Sequence, residues 1–371
     1  MTQNKPLLSI AIPTRNRQYY CIEAIKHILS YDNQDFELCI HDHSDDRTIE
    51  EFVSTIDDKR LKYIYTTETL SSSENMSRSI QMTIGEYICM IGDDDTILPT
   101  IFKWAKYMKE NDIDSICPGY RPEYYWPNKE TGNTGTLKIV QHKYMKDIEK
   151  IEPMERLEKL FRNGIIDYQQ YNLPRVYHGL IKKEVMDKIY KKMGTYFAGL
   201  SPDIYSTVAL STVVKNHFIV NETCSIAGAC PSSTTSQGKH GEHKGDLSKT
   251  PHLKNNRDYV WDELIPSFYS VETIWAESAI KAAKDFNLLN VLKSFNQNFF
   301  YIKSLERNRD IKELVLLKFT LNSNNCKSKY LLLSYLESFK SLMTRIFSKI
   351  FMKTTTKVNN IPNISKASDK C

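Results

Sequence analysis

A chain of 371 residues, 41 % of them hydrophobic and 22 of them tyrosine, can fill one large core plus an appendage, which excludes a disordered polymer. Its 50 basic and 45 acidic residues leave a formal charge of only +5, which excludes a uniformly basic nucleic-acid binder.

The first 115 residues alternate strand and helix patterns. Leu7–Pro13 is an apolar run closed by proline, read as a buried strand, and Tyr19–Tyr31 carries Ile22, Ile25, Ile28 and Leu29 at helical spacing. Phe36–Ile40, Leu61–Tyr65 and Tyr87–Ile91 read as three further strands, with helices predicted over Thr48–Ile56, Ser73–Thr83 (capped by Ser72 or Ser73) and Pro99–Asn111. Such alternation predicts an α/β fold with a doubly wound, mostly parallel sheet. Ligands bind at the carboxyl ends of the strands in these sheets. The polar segments Thr14–Asn16, His41–Asp46 and Asp93–Asp95 would therefore share one rim.

From Ser115 to Lys150 the pattern is a strand, loops and a hairpin. Helical stretches follow at Met154–Asn163, Val176–Met186 and Gly199–Val214, then a Ser-, Gly-, Lys- and His-rich loop over Ala229–Thr250. Arg257–Ser304 and Ile311–Phe351 read as wholly helical. The expected division is 1–253 as the α/β domain, 254–353 as an all-α C-terminal domain, and 354–371 as a disordered tail. The last helix places Leu332, Leu336, Phe339, Leu342, Met343, Ile346, Phe347, Ile350 and Phe351 on one face, with Lys340, Arg345, Lys349 and Lys353 beside it. Such a helix either lies in an anionic membrane surface or packs its stripe on the domain.

Asp93, Asp94 and Asp95 end the fourth strand, and three adjacent carboxylates repel one another unless a cation relieves them. Mg²⁺ or Mn²⁺, which favour carboxylate and phosphate oxygens, suit the place; the plain alternative is a solvated turn leading into the helix at Pro99. Asp203, behind Ser201–Pro202 and ahead of a helical stretch, reads on its own as a helix N-cap. His240 and His243, in the loop, either close over a ligand or are solvated.

Four segments, SIAIPTRNR (Ser9–Arg17), FELCIHDHSDDRT (Phe36–Thr48), SENMSRSIQMTIGEYICMIGDDDTILP (Ser73–Pro99) and SPDIYSTVAL (Ser201–Leu210), resemble the family-two inverting glycosyltransferases of the GT-A fold. The resemblance covers about the first 240 residues. It implies a donor loop at Pro13, Thr14 and Asn16, a base or ribose contact at Asp42, and a diphosphate contact at Arg78. It further implies a metal at Asp93, Asp94 and Asp95, with Asp93 and Asp94 also toward the donor, and a catalytic base at Asp203. Two departures stand out: His41 occupies the position where the family's D-x-x-S-x-D-x-T pattern starts with Asp, and Gly92 replaces the leading Asp of its D-x-D. The implied donor is a nucleotide sugar, UDP-linked first among them. The implied acceptor is a saccharide or lipid-linked sugar of bacterial surface polysaccharide or glycolipid synthesis, met at the inner face of the membrane.

A haloacid-dehalogenase-like phosphatase also sets D-x-D after a strand, but it needs Thr or Val two residues beyond the second Asp, and Ile97 stands there. A non-catalytic carbohydrate- or partner-binding module would have no use for Asp93, Asp95 and Asp203. The absence of G-x-G-x-x-G excludes a Rossmann dehydrogenase. The eight cysteines include no C-x-x-C pair, Met1–Pro6 is polar, and no run of about 18 apolar residues occurs. A cytoplasmic protein without a zinc site or nucleic-acid partner is expected, possible membrane contact being peripheral.

Overall fold

The computed structural model describes residues 5–142, 145–233, 244–247, 259–322, 327–347 and 352–371. The strands are β1 (Leu8–Thr14), β2 (Phe36–Asp42), β3 (Leu61–Tyr65), β4 (Tyr87–Met90), β5 (Thr96–Ile97), β6 (Ser115–Pro118), β7 (Glu123–Tyr125), β8 (Thr136–His142), β9 (Ile148–Ile151), β10 (Leu180–Lys182), β11 (His217–Val220), β12 (Ser225–Ala229), β13 (Gly245–Asp246), β14 (Phe268–Tyr269) and β15 (Lys353–Asn359). Seven helices precede residue 212: α1 (Gln18–Leu29), α2 (Thr48–Val53), α3 (Ser72–Gln81), α4 (Thr100–Glu110), α5 (Pro153–Arg162), α6 (Lys183–Met193) and α7 (Pro202–Ser211). Six follow: α8 (Val271–Asp285), α9 (Leu289–Lys293), α10 (Gln297–Arg307), α11 (Lys312–Asn322), α12 (Lys327–Phe347) and α13 (Ile364–Ser368).

The main sheet has the order β3-β2-β1-β4-β10-β6-β11-β9, with β3, β2, β1 and β4 parallel and β10 and β9 antiparallel to their neighbours. Strands buried on both faces explain the near-continuous apolar runs. On one face Leu8, Ile10, Ile12, Leu38 and Ile40 pack against Ala24, Ile25 and Ile28 of α1 and Ile101 and Met108 of α4. On the other, Ala11, Ile88 and Met90 meet Ile80 of α3, Val185 and Ile189 of α6, and Leu210 of α7. The period-two alternation therefore turns His41 toward α3 and Asp42 toward the opposite face. Helix α3 opens with a capping box: Ser71 accepts from the Glu74 N–H and the Glu74 carboxylate accepts from the Ser71 N–H, so the cap lies one residue before the expected Ser72.

A second sheet, β15-β8-β7-β12-β5, stands beside the acidic loop. Its outer strand corrects one expectation. Residues 353–371 are not a disordered tail: β15 pairs antiparallel with β8 over Lys353–Asn359, and Ile361, Ile364 and Ala367 are buried against Tyr124, Trp126 and Leu98. The polar Thr-rich stretch KTTTKVN hid a strand whose backbone, rather than its side chains, supplies the pairing.

Residues 257–304 are not wholly helical either, since Phe268–Tyr269 pairs with Gly245–Asp246 before α8 begins at a Ser270 capping box. Helices α8, α10 and α11 share a core with α5 and α7, in which Ala276, Ala279 and Ile280 meet Ile204, Tyr205 and Val208. The expected boundary at 253/254 and the residues His240 and His243 lie outside the described residues, as do Lys349, Ile350 and Phe351. The described part of the α12 stripe faces outward, with Leu332, Leu336 and Phe339 exposed, and so does not pack on the domain. Among the described residues no helix is long and apolar enough to cross a membrane.

Candidate active site

The three aspartates follow β4 and are almost wholly buried, and each is held differently. Asp93 accepts from the Thr14 hydroxyl at 2.8 Å through Oδ2 and from Arg17 at 2.9 Å through Oδ1. Asp95 is saturated: Oδ1 takes the Gly228 N–H at 2.7 Å, and Oδ2 takes the Gly92 N–H at 2.6 Å and the Tyr177 hydroxyl at 3.0 Å. His178 Nε2 also lies 2.9 Å from Oδ2, without the alignment of a full hydrogen bond. Asp94 accepts from the Cys230 N–H at 2.9 Å through Oδ2, and its carbonyl takes the Trp126 indole N–H at 3.0 Å. Among the described residues, Asp94 Oδ1 accepts no hydrogen bond, and Arg17 lies 3.8 Å from it.

Electrostatics follow these partners. Burial pushes the Asp93 and Asp94 carboxyls above the usual range, the neighbouring acids adding to the effect and Arg17 opposing it. Burial acts on Asp95 in the same direction, but His178 and the N–H groups of Gly228 and Gly92 outweigh it and hold that carboxyl below the usual range. Gly228 is required here, since a Cβ would stand 1.8 Å from the Asp94 carbonyl oxygen.

Two loops on the β1–β2 rim are clamped together. Asn16, at φ 56°, donates its backbone N–H to Ser44 Oγ and exchanges two hydrogen bonds with Asp45. Pro13 pairs in register with His41. The expectation for Asp42 is corrected: the side chain is fully buried, its oxygens taken by the Ser44 N–H at 2.8 Å and the Tyr63 hydroxyl at 2.9 Å, so neither can reach a ligand.

His41 instead turns toward a groove of about 720 Å³, lined also by Ile64, Glu74, Ser77, Arg78 and Met82. Asn75 Nδ2 donates to the Thr14 carbonyl at 3.2 Å, which leaves its Oδ1 facing His41 Nδ1 at 2.6 Å. His41 Nδ1 must then carry the hydrogen, and Nε2 is left as an acceptor. Burial lowers the basicity of the ring and keeps it neutral. Arg78, which lines this groove, pairs with Glu68.

Asp203 sits in the first turn of α7. The N-cap is Ser201, and Asp203 makes no capping hydrogen bond, so the simple N-cap reading is set aside. Its Oδ1 is buried without any partner. An unsatisfied buried carboxylate oxygen is costly, on the order of 1–3 kcal/mol or more, and calls for a ligand. Burial raises this carboxyl to about 6, with Arg121 and Arg175 opposing the rise and Asp95 adding to it. Tyr177, hydrogen-bonded to Asp95, also feels the charge of Asp203. The structure thus brings Thr14, Asp93, Asp94, Asp95 and Asp203 to one end of the sheet; Asp42 pairs with Thr14 at the same end but keeps its side chain buried, and Arg78 lines the groove beside His41.

Arg17, Tyr177, His178, Trp126 and Gly228 went unnoticed in sequence. Arg17 alone had a signal, standing at the end of the strand-one rim segment; the others come from segments distant in sequence, Trp126 just after β7, Tyr177 and His178 just before β10, and Gly228 in β12.

Each oxygen of Asp93 and Asp95 already accepts at least one hydrogen bond, so Asp94 offers the more open carboxylate of the three. Among the described residues no group of three or more His, Cys, Asp or Glu is set to hold an ion. Asp94 Oδ1 fits as a single protein ligand, the usual supply for a Mg²⁺-type ion that takes its other oxygens from phosphate and water.

Residues 9–165 match the sequence model of the family described as Glycosyl transferase family 2. Over 99 residues the chain is 34 % identical to an Escherichia coli (strain K12) protein bearing the provisional name colanic acid biosynthesis glycosyl transferase WcaA, covering 26 % of this chain and 36 % of that one. It is 30 % identical over 96 residues to the GalNAc(5)-diNAcBac-PP-undecaprenol beta-1,3-glucosyltransferase of Campylobacter jejuni, covering 25 % of this chain and 31 % of that one. The matched segments thus span about a third of these relatives. Among solved structures, S. aureus TarS 1–349 in complex with UDP-GlcNAc overlays 85 % of this chain and 91 % of that one, at 14 % identity and a TM-score of 0.48.

Proposed function

Because residues 9–165 belong to glycosyltransferase family 2, we propose that the chain moves a sugar from a nucleotide-sugar donor to an acceptor hydroxyl with inversion at the anomeric carbon. The observation that carries this reading is the unpartnered, buried Oδ1 of Asp203 beside the acidic loop. In the proposed step Asp203 takes the proton from the acceptor hydroxyl as that oxygen bonds to the anomeric carbon. The bond from carbon to diphosphate breaks, and its electron pair leaves with the nucleoside diphosphate. One displacement inverts the centre.

The remaining groups serve the donor. Asp94 Oδ1, with the donor's own phosphates, would hold Mn²⁺ or Mg²⁺, which supplies positive charge to the departing diphosphate. Arg17 neutralises Asp93 and brings a cation to the same corner. His41 Nε2 takes over the base contact first assigned to Asp42. As a neutral acceptor it suits a base with a ring N–H, uracil or guanine rather than cytosine, and a UDP-sugar stays first among the donors proposed. The groove beside it accommodates the nucleoside. The relatives named for colanic acid and for an undecaprenol-linked glycan support an acceptor in surface polysaccharide or glycolipid synthesis, carried on saccharide or lipid at the inner face of the membrane.

The test is a panel of UDP-, GDP- and CMP-sugars incubated with the protein and Mn²⁺, or with EDTA, while nucleoside diphosphate release is followed. The proposal expects release from a UDP-sugar, abolished by EDTA and by Asp203→Asn. Absence of both turnover and binding for every donor would favour a non-catalytic module on the same fold.

A further inference from the structure

We infer that the outward face of α12 docks on an anionic lipid bilayer. The inference rests on this helix alone, not on the transferase reading. In an ordinary surface helix the apolar side chains point to the core and the polar ones to water. Helix α12 packs Tyr330 and Leu331 on the core at its start, and from Ser334 onward does the reverse. Its buried or half-buried positions include Ser334, Glu337, Ser338 and Ser341, while Leu332, Leu336, Phe339, Leu342, Met343 and Ile346 are 44–67 % exposed.

The polar inner face is bonded into the protein. Lys303 Nζ donates to Ser341 Oγ at 2.8 Å and pairs with Glu337 at 3.3 Å, and Arg309 donates to Ser338 Oγ at 3.2 Å. These contacts lock the rotation of the helix, so the apolar stripe cannot roll inward without breaking them. The fold therefore holds a contiguous apolar surface outward, the mark of an interaction site.

Charge selects the occupant. Glu337 is the one acid of α12, and Lys303 holds it inward; Lys340 reaches it only at 3.9 Å and stays 74 % exposed. The cations Lys329, Lys340 and Arg345 are exposed around the stripe. A second copy docking face to face would set these cations against their own equivalents. A bilayer surface meets both requirements, since apolar side chains enter the headgroup boundary while Lys and Arg face anionic headgroups. At 21 residues, about 31 Å, the helix lies flat on the surface rather than crossing it.

The test is co-sedimentation of the full chain with vesicles of phosphatidylcholine alone or mixed with phosphatidylglycerol. The expected result is pelleting with the anionic vesicles, weakened by salt. A Phe339→Glu/Met343→Glu variant should lose the bound fraction about tenfold or more, and Lys340→Glu/Arg345→Glu should lose the preference for phosphatidylglycerol. All these positions are exposed, and an unchanged melting temperature checks that the variants fold. Three results would overturn the inference: the parent chain staying in the supernatant with anionic vesicles, the apolar variant pelleting like the parent, or sedimentation velocity revealing a dimer that Phe339→Glu dissociates.

Discussion

Helices α3 and α12 carry comparable amphipathic patterns and use them in opposite senses. Helix α3 buries Ile80 against the sheet and keeps Glu74 and Gln81 in water. Helix α12 fixes serines against the protein and shows leucine and phenylalanine outside. A periodic pattern reveals that a helix has two faces; which face the fold keeps is decided by partners elsewhere in the chain, here Lys303 and Arg309. The same contrast separates the two halves of the site. The parallel sheet supplies the acids, and α7, packed on the C-terminal helices, supplies Asp203.

The contrast can be sharpened by substitution, beginning with the sheet half. Asp94→Asn removes the one open carboxylate oxygen of the loop, and donor turnover should fall on the order of 10²–10³-fold with the melting temperature unchanged. Asp93→Asn should fall less, because Arg17 and Thr14 already occupy that carboxylate. Equal losses would break the distinction between the two residues.

Stability comes next. Phe300, fully buried in the core shared by α5, α7 and the C-terminal helices, should cost about 3–5 kcal/mol on truncation to alanine. Phe339→Ala, on the outward face, should stay within about 0.5 kcal/mol. Urea denaturation of the two variants reads the difference directly, and a large cost at Phe339 would mean that the stripe is covered in the isolated protein. A smaller loss than at Phe300 is expected at Trp126→Phe, which deletes the indole hydrogen bond to the Asp94 carbonyl. About 1 kcal/mol of stability should go, seen as a lower urea midpoint, with the loop loosened rather than lost.

The parallel half was legible in sequence because strands buried on both faces must be continuously apolar, and their polar ends then fall on one rim. Thr14, Asp93 and Asp94 could be nominated on that basis, whereas Asp203, at a helix start, was reached only through the family resemblance of the segment SPDIYSTVAL. Asp42 was misassigned by one residue, which in a strand reverses the face. His178 and Tyr177 were invisible because they reach the site from a long way off in sequence, through a bridge between Tyr177 and Met90 at the end of β4. The C-terminal strand β15 was missed for a different reason: its threonines make no apolar pattern, and only its pairing with β8 defines it.

The most direct test of the central claim is the pH dependence of kcat/KM for donor turnover, in the parent chain and in Asp203→Asn. Burial raises the Asp203 carboxyl to about 6, and a general base works only after losing its proton. Activity should therefore climb with pH through about 6 and then level, while Asp203→Asn should be lower by about 10²–10⁴-fold and lack that ionisation. A variant that keeps the parent rate, or the same inflection, would contradict the assignment of Asp203 as the base that completes the acidic loop.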